Sequence, residues 1–330
     1  MAATDTTLAG EYAMLTERCG LIDRSERGKL ALTGAGAVEF LNGQVTNELI
    51  GLEPGSGCYA AFLTHKGKML GDLRILAVGD DPNGQPAELL LDTERIALQA
   101  LFDMIRRFKI GFEVDLHKRT LESSLLSLIG PASADVVEKT FAIQPAGLPE
   151  REGQHVPAGV GTVMVRLVRT DVGFDVLLDA SCVDIVHKAL QATGAVQASE
   201  AAAEIVRVER GRPRYGIDLD ESTIPQEADL NERAVSFTKG CYVGQETVAR
   251  LFYKGKPNRH VRGLRLSEPV APGAELHLGE RSVGHLSSSV LSPVLGPIGL
   301  ALVRREAEPG ATVAVGEHDA SALVCELPFR

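Results

Sequence analysis

The chain has 330 residues, more than one compact domain usually holds, so two or three folding units are expected. Hydrophobic residues make up 44% of it, which is enough to bury a full core. The formal net charge of −10 argues against direct nucleic-acid binding, because that activity needs Lys and Arg to neutralise phosphates. The charge is uneven: residues 205–265 carry 12 Lys and Arg against 8 Asp and Glu. This basic segment suits a small anionic ligand or an acidic partner, or is a chance cluster on a solvated face.

Cysteine and histidine spacing excludes several classes of site. The five cysteines are odd in number and lie far apart, at Cys19, Cys58, Cys182, Cys241 and Cys325. No C-x-x-C pair or H-E-x-x-H motif occurs, so we expect neither a disulfide framework nor a metal site. The first residues lack the charged and apolar regions of a signal peptide, and Pro and Gly interrupt the uncharged stretch 282–303. We therefore expect a cytoplasmic protein that does not contact the membrane.

The predicted elements of residues 1–118 form an α+β unit. In chain order they are a helix at 8–19, strands at 21–23 and 28–32, a helix after Gly36, a hairpin of 58–63 and 69–78, a strand at 88–91, a helix at 93–108 and a strand at 112–116. Thr93 is a suitable N-cap for the last helix. From residue 30 onward the order β-α-β-β-β-α-β is close to a ferredoxin-like unit with an antiparallel sheet.

Residues 119–245 roughly repeat this order of elements. Strands are expected at 121–129, 163–168 and 174–178, and helices at 131–141, 183–190 and 201–209. From residue 262 short apolar runs alternate with Gly, Pro and Ser turns, which predicts a small antiparallel β-barrel within residues 246–330. The fold class is thus α+β, a duplicated ferredoxin-like region followed by a C-terminal barrel.

An acidic residue interrupts the second strand of the early hairpin. Strand alternation places Leu73 and Ile75 on one face and Asp72 and Arg74 on the other. The carboxylate of Asp72 either faces solvent or lines a cavity.

One segment combines a thiol, an ammonium, an amide and a carboxylate between two glycines. We call it the signature segment; it consists of Lys239, Gly240, Cys241, Tyr242, Val243, Gly244, Gln245 and Glu246. Lys239 is close enough in sequence to favour the thiolate of Cys241. Gly240 and Gly244 permit positive φ and close approach of another group. The alternative is a structural turn with a small buried cysteine.

The signature segment, followed by Ala249 and Arg250, resembles the signature of the YgfZ family. These are folate-binding proteins related to the T-protein, the aminomethyltransferase of the glycine cleavage system. Residues 41–47, 57–61, 207–218 and 284–293 also resemble segments of these families. The resemblance implies three domains, residues 1–118, 119–245 and 246–330, in a ring around a central folate cavity.

Several site residues follow from the resemblance. Asp175 matches the acidic residue that holds the pterin in T-proteins, although Asp is one methylene shorter than the Glu usual there. Asp72 matches the acid that assists aminomethyl transfer, with Gly71 in place of a second acid. The resemblance also assigns Tyr59 and Arg250 to folate binding.

The resemblance implies tetrahydrofolate, or a one-carbon derivative, as cofactor and a role in iron–sulfur cluster assembly or repair. The implied partners are iron–sulfur client enzymes, including tRNA-modifying ones, or assembly factors. Cys241 would be the functional thiol, with Lys239 tuning it and Gln245 and Glu246 shaping the loop. The alternative is a folate-dependent aminomethyltransferase that uses Asp72 as electrostatic partner or general base. A third possibility is a scaffold that has lost folate, so whether the protein is an enzyme stays open.

Overall fold

A computed structural model of the protein describes residues 2–80, 84, 86–316 and 320–329, with residues 2–7 as backbone only. The helices are α1 (Ala2–Glu17), α2 (Ala37–Asn42), α3 (Leu98–Phe108), α4 (Ser133–Phe141), α5 (Val183–Ala192), α6 (Glu200–Glu209), α7 (Asn231–Ala234) and α8 (Gln245–Lys254). The described helices are each too short or too polar to cross a membrane.

The strands form three sheets. They are β1 (Gly20–Asp23), β2 (Gly28–Thr33), β3 (Gly57–Leu63), β4 (Met69–Asp80), β5 (Pro86–Thr93), β6 (Asp115–Lys118), β7 (Ser123–Ile129), β8 (His155–Val160), β9 (Val163–Arg169), β10 (Gly173–Asp179), β11 (Val196–Gln197), β12 (Arg259–Leu266), β13 (Glu275–Leu278), β14 (Arg281–Ser292), β15 (Gly296–Arg304), β16 (Thr312–Val315) and β17 (Ser321–Cys325). The first sheet has the order β3-β4-β5-β2-β6, the second β11-β1-β7-β10-β9-β8, and the third is the closed barrel β12-β15-β14-β13-β16-β17.

The chain divides into two compact units. The first comprises Met1–Phe62, Gly71–Ala203 and Thr238–Val243, and the second comprises Leu63–Leu70, Glu204–Phe237 and Gly244–Arg330. The three-part division at 118 and 245 stays a prediction.

Two apolar layers organise the first unit. One face of the second sheet packs against α4 and α5 through a cluster that includes Val137, Phe174 and Leu190. The opposite face meets the first sheet through Leu76, Leu125, Val168 and Leu177. The other face of β4, with Leu73 and Ile75, is buried as well, so the polar side chains that β4 directs toward the second sheet are held between two sheets.

The second unit contains the barrel. Its interior is filled by alternate apolar residues of every strand, the pattern expected where a small barrel has no room for solvent. The predicted α+β organisation with a C-terminal antiparallel barrel is confirmed.

Two local predictions differ from the structure. Residues 20–23, which the sequence analysis assigns to the α+β unit of residues 1–118, instead pair antiparallel with β7, a strand of the second sheet. Thr93 is the last residue of β5 and not a helix N-cap; its hydroxyl donates to the carbonyl oxygen of Asp72. The hydroxyl thus links β5 to β4. The helical periodicity on which the N-cap prediction rested contains no information about this contact.

Candidate functional site

Lys239 anchors the signature segment to the loop after α2. Its buried ammonium donates to the carbonyl oxygens of Asn42 at 2.6 Å, Val45 at 2.9 Å and Asn47 at 2.7 Å. All three ammonium protons therefore have an acceptor. The ammonium also lies 5.1 Å from the centroid of the Tyr242 ring. Burial lowers the pKa of Lys239 to about 8.

Cys241 is exposed, whereas Cys19 is buried and the other cysteines are partly buried. The structure excludes the buried-cysteine alternative, because the thiol is open to solvent. The hydrogen bonds that the structure gives the Lys239 ammonium go to carbonyl oxygens and none to Cys241. Burial raises the pKa of the Cys58 thiol to about 12, and Lys239 opposes part of that rise. Tuning of Cys241 by Lys239 stays a prediction.

The two glycines of the signature segment have different roles. Gly244 has φ of 87°, and a Cβ on it would lie 2.6 Å from the carbonyl oxygen of Thr64. A Cβ on Gly240 would meet nothing within 4 Å. The expectation of positive φ or close approach is thus met at Gly244 and is wrong for Gly240.

The residues after Gly244 begin helix α8. Gln245 is its first residue, and Glu246 lies in its first turn, where a carboxylate interacts favourably with the helix dipole. Arg250 is exposed on the same helix. The structure therefore places the amide and carboxylate at a helix start.

Asp72 is only 5% exposed, so the solvent-facing interpretation is wrong. The neighbouring Gly71 leaves no room for a side chain, because a Cβ there would lie 2.6 Å from Phe62 and from Ala97. This packing accounts for the glycine at the position where T-proteins carry a second acid. Tyr59 on β3 is partly buried, and its carbonyl accepts from the Asn47 amide at 2.8 Å.

Asp175 belongs to a buried ion-pair network between the two sheets. Its Oδ2 lies 2.7 Å from Nη1 of Arg74, and its Oδ1 accepts from the Ser127 hydroxyl at 2.6 Å. Arg74 Nη2 lies 3.0 Å from Asp92 Oδ2, and Asp92 Oδ1 accepts from Arg27 Nε at 2.8 Å. We call this chain of five side chains the ion-pair network.

Opposite charges outweigh burial within the ion-pair network. Burial by itself would lower the pKa of Arg74, but the Asp175 and Asp92 carboxylates raise it above its ordinary value. Burial would raise the pKa of Asp92, but Arg27 and Arg74 lower it. Arg74 and Asp92 therefore stay charged near neutral pH. Nε and Nη2 of Arg74 nevertheless have no hydrogen-bond acceptor among the described residues. The contact of Nη2 with Asp92 is an ion pair and not a hydrogen bond.

The sequence analysis did not identify Arg74, Asp92 or Ser127 as site residues. A signal existed for Arg74, because alternation places its charge on the same face as Asp72 inside an apolar strand. Strand register then completes the network: Arg74 lies opposite Asp92, and Asp175 opposite Ser127. No sequence pattern shows that these two pairs face each other across two sheets.

The described residues contain no group of three or more His, Cys, Asp or Glu side chains arranged to hold a metal ion.

Comparison with known proteins agrees with this architecture. Residues 2–239 match the model of the GCVT N-terminal domain, and residues 259–330 match that of the glycine cleavage T-protein C-terminal barrel domain. The chain is 29% identical to an Arabidopsis thaliana protein named "Putative transferase At1g60990, chloroplastic", over 94% of this chain and 71% of the relative. It is 28% identical to an aminomethyltransferase of Deinococcus deserti, over 90% of this chain and 80% of the relative.

A solved structure has the same fold over nearly the whole chain. The glycine cleavage system aminomethyltransferase T of Bartonella henselae superposes with a TM-score of 0.86 at 24% identity, over 98% of this chain and 89% of that one. The first and second sheets and the barrel are thus the parts of one known architecture. This chain belongs to the GCVT family, with its N-terminal domain followed by the T-protein C-terminal barrel domain.

Proposed function

We propose that the protein binds tetrahydrofolate or a one-carbon derivative of it, with Asp175 and Arg74 holding the pterin. The supporting observation is the chemistry of this pair. A pterin edge offers N–H donors beside a carbonyl oxygen. Each Asp175 oxygen has one partner among the described residues, so lone pairs remain to accept those donors. The two Arg74 nitrogens without a hydrogen-bond acceptor could donate to the carbonyl oxygen of the pterin. The residues present therefore fit the cofactor.

For the reaction we propose aminomethyl transfer of the glycine cleavage type. The relatives named aminomethyltransferase support this choice. Bound tetrahydrofolate would supply the amine nitrogens that accept a one-carbon unit. The buried Asp72 carboxylate would stabilise positive charge near those nitrogens or take up a proton. Tyr59 and Arg250 are proposed as further folate contacts.

A second candidate function is the support of iron–sulfur cluster assembly or repair, as in the YgfZ family. The observation that favours it is the exposed Cys241 in a segment anchored by Lys239. One cysteine does not hold a cluster alone, so the thiol would act transiently or together with a partner. The proposed partners are iron–sulfur client enzymes, tRNA-modifying ones among them, or assembly factors. Five free cysteines suit the reducing conditions of the cytoplasm, the location we propose.

The cofactor proposal is tested by calorimetric titration with reduced tetrahydrofolate. Replacing Asp175 by Asn removes a charge-assisted acceptor and should weaken binding by about tenfold or more. The control is Asp184→Asn, an exposed carboxylate in the first turn of α5. Thermal unfolding of both variants checks that they are folded. Absence of binding by the unchanged protein, or equal affinity in folded Asp175→Asn, would refute the pterin assignment.

A second experiment separates the two candidate functions. Aminomethyl transfer is measured with a lipoyl carrier protein, and Asp72→Asn should abolish any transfer found. Cluster support is measured as the activity of iron–sulfur enzymes in cells that lack the protein and receive Cys241→Ala or, as control, Cys325→Ala. Transfer activity that survives Cys241→Ala favours the first function. Loss of client activity in Cys241→Ala alone favours the second.

A further inference from the structure

A cavity of about 320 Å³ lies between the two sheets of the first unit. Its walls are largely apolar and include Leu76, Leu90 and Leu177. Met164, which is 67% exposed, lies at its rim. None of the residues assigned above to folate or to the signature segment lines this cavity. Its volume is at the small end of the size range of ligand sites.

Two of the three cations that line the cavity have partners within the chain. The Lys29 ammonium donates to the carbonyl oxygens of Ser25 at 2.8 Å and Arg27 at 3.0 Å. The Arg119 guanidinium lies 2.7 Å from Glu122 and 3.5 Å from Glu88. The acidic residue of the wall, Asp92, is paired within the ion-pair network. These groups leave little charge for a ligand.

Arg166 is the third cation, and it differs from the other two in its partners. It donates from Nη1 to Nδ1 of His155 at 3.0 Å, and it forms no salt bridge with any carboxylate in the part of the chain that the structure describes. His155 in turn donates from Nε2 to the Ser56 carbonyl oxygen at 3.1 Å. Because Nδ1 accepts a hydrogen bond, the ring is neutral and does not balance the charge of the guanidinium. Burial lowers the pKa of Arg166, opposed in part by Glu88, which is paired with Arg119.

A half-buried guanidinium without a salt bridge is costly, because its charge is partly withdrawn from water. A bound carboxylate would lower this cost, since Arg binds carboxylates through two parallel N–H donors. Register places Arg166 opposite Leu177, so its charge and the leucine wall belong to the same face of the second sheet. A cation without a salt bridge beside apolar walls suits an amphipathic anion.

We propose that this cavity binds a small aliphatic carboxylate, with the carboxylate on Arg166 and the hydrocarbon chain against Leu76, Leu90 and Leu177. Arg166 and these leucines are not among the proposed folate contacts, so the inference does not depend on the proposed function. A chain of about eight carbons suits a cavity at the lower end of the size range.

The test uses calorimetric titration of the full chain with octanoate and with 1-octanol, which share the hydrocarbon length but differ in charge. Octanoate should bind the unchanged protein. Arg166→Met should weaken octanoate binding by about tenfold or more, and should leave octanol binding within about twofold. Arg166→Lys should retain part of the octanoate affinity. Leu90→Phe, which fills the cavity, should remove binding of both probes.

The matched control is Arg169→Met on the same strand, because Arg169 stacks over Phe174 at 4.9 Å and does not line the cavity. It should leave octanoate affinity unchanged. Circular dichroism confirms the folded state of each variant; if Arg166→Met is unfolded, Arg166→Lys and Leu90→Phe decide. The proposal is overturned if the unchanged protein binds no octanoate at millimolar concentration. It is overturned equally if folded Arg166→Met or Leu90→Phe binds octanoate as tightly as the unchanged protein.

Discussion

At the scale of single residues, Arg74 provides the positive charge between the two sheets of the first unit. It balances two carboxylates, Asp92 and Asp175, that are withdrawn from water. Removing one partner of a buried pair costs more than the pair itself contributes, because the remaining charge stays desolvated.

We therefore expect Arg74→Met to lower the free energy of unfolding by about 3 kcal/mol. Urea denaturation followed by far-ultraviolet circular dichroism measures the change. The control is Arg24→Met, whose partner Glu200 is 45% exposed and whose loss should cost below about 1 kcal/mol. Similar losses for both variants would contradict the assigned role of Arg74.

The lowered pKa of His155 predicts that the stability of the protein depends on pH. It is 1% exposed, and burial together with Arg166 lowers its pKa from 6.5 to about 4. Between these values the unfolded state binds the proton and the folded state does not. The stability due to the neutral ring is therefore full above pH 6.5 and is lost as the pH falls toward 4.

The expected loss is roughly 3 kcal/mol of unfolding free energy over that interval. Urea denaturation at pH 7, 6, 5 and 4 should show that the difference between the unchanged protein and His155→Gln shrinks as the pH falls. His65→Gln, a change at an exposed histidine, is the control for effects of pH on the rest of the protein. A difference for His155→Gln that does not change with pH would mean that the pKa of His155 is not lowered.

At the scale of elements, Gly244 connects the signature segment to helix α8. Its left-handed conformation directs the chain into the helix, which begins at the next residue, Gln245. Gly240, four residues earlier, lies in open space. The pair allows a comparison within one motif.

Gly244→Ala should lower the free energy of unfolding by about 2 kcal/mol or more, because a left-handed backbone and a close carbonyl oxygen both oppose a side chain. Gly240→Ala should change it by less than about 0.5 kcal/mol. Thermal unfolding of both variants measures the difference. Equal effects would show that the conformation at Gly244 does not limit stability.

At the scale of the whole molecule, one buried carboxylate, Asp218, connects two parts of the second unit. Asp218 accepts from Arg207 Nη1 at 2.7 Å, from the Arg214 amide at 2.9 Å and from the Ser288 hydroxyl at 2.7 Å. It thereby joins helix α6 and the segment after it to strand β14 of the barrel. The residues around it are those whose sequence resembles T-proteins.

Asp218→Ala should lower the free energy of unfolding by about 3 kcal/mol, since it leaves the Arg214 amide and the Ser288 hydroxyl without this acceptor and removes one of the two carboxylate partners of Arg207. Hydrogen exchange should be faster in α6 and β14. Asp115→Ala, a change at an exposed strand end, serves as control and should have little effect. Unchanged exchange in β14 would argue against this connection.

The sequence by itself determined the elements and the family likeness, because both depend on local periodicity, turn residues and a long motif. It predicted the α+β class, the barrel and the hairpin that carries Asp72. Tertiary structure alone decided which strands share a sheet, since pairing is a long-range choice that β1 makes with β7. It also brought together Arg74 and Asp175, which are 101 residues apart in the chain. Burial and charge pairing across two sheets depend on that packing, and for this reason a linear pattern does not contain them.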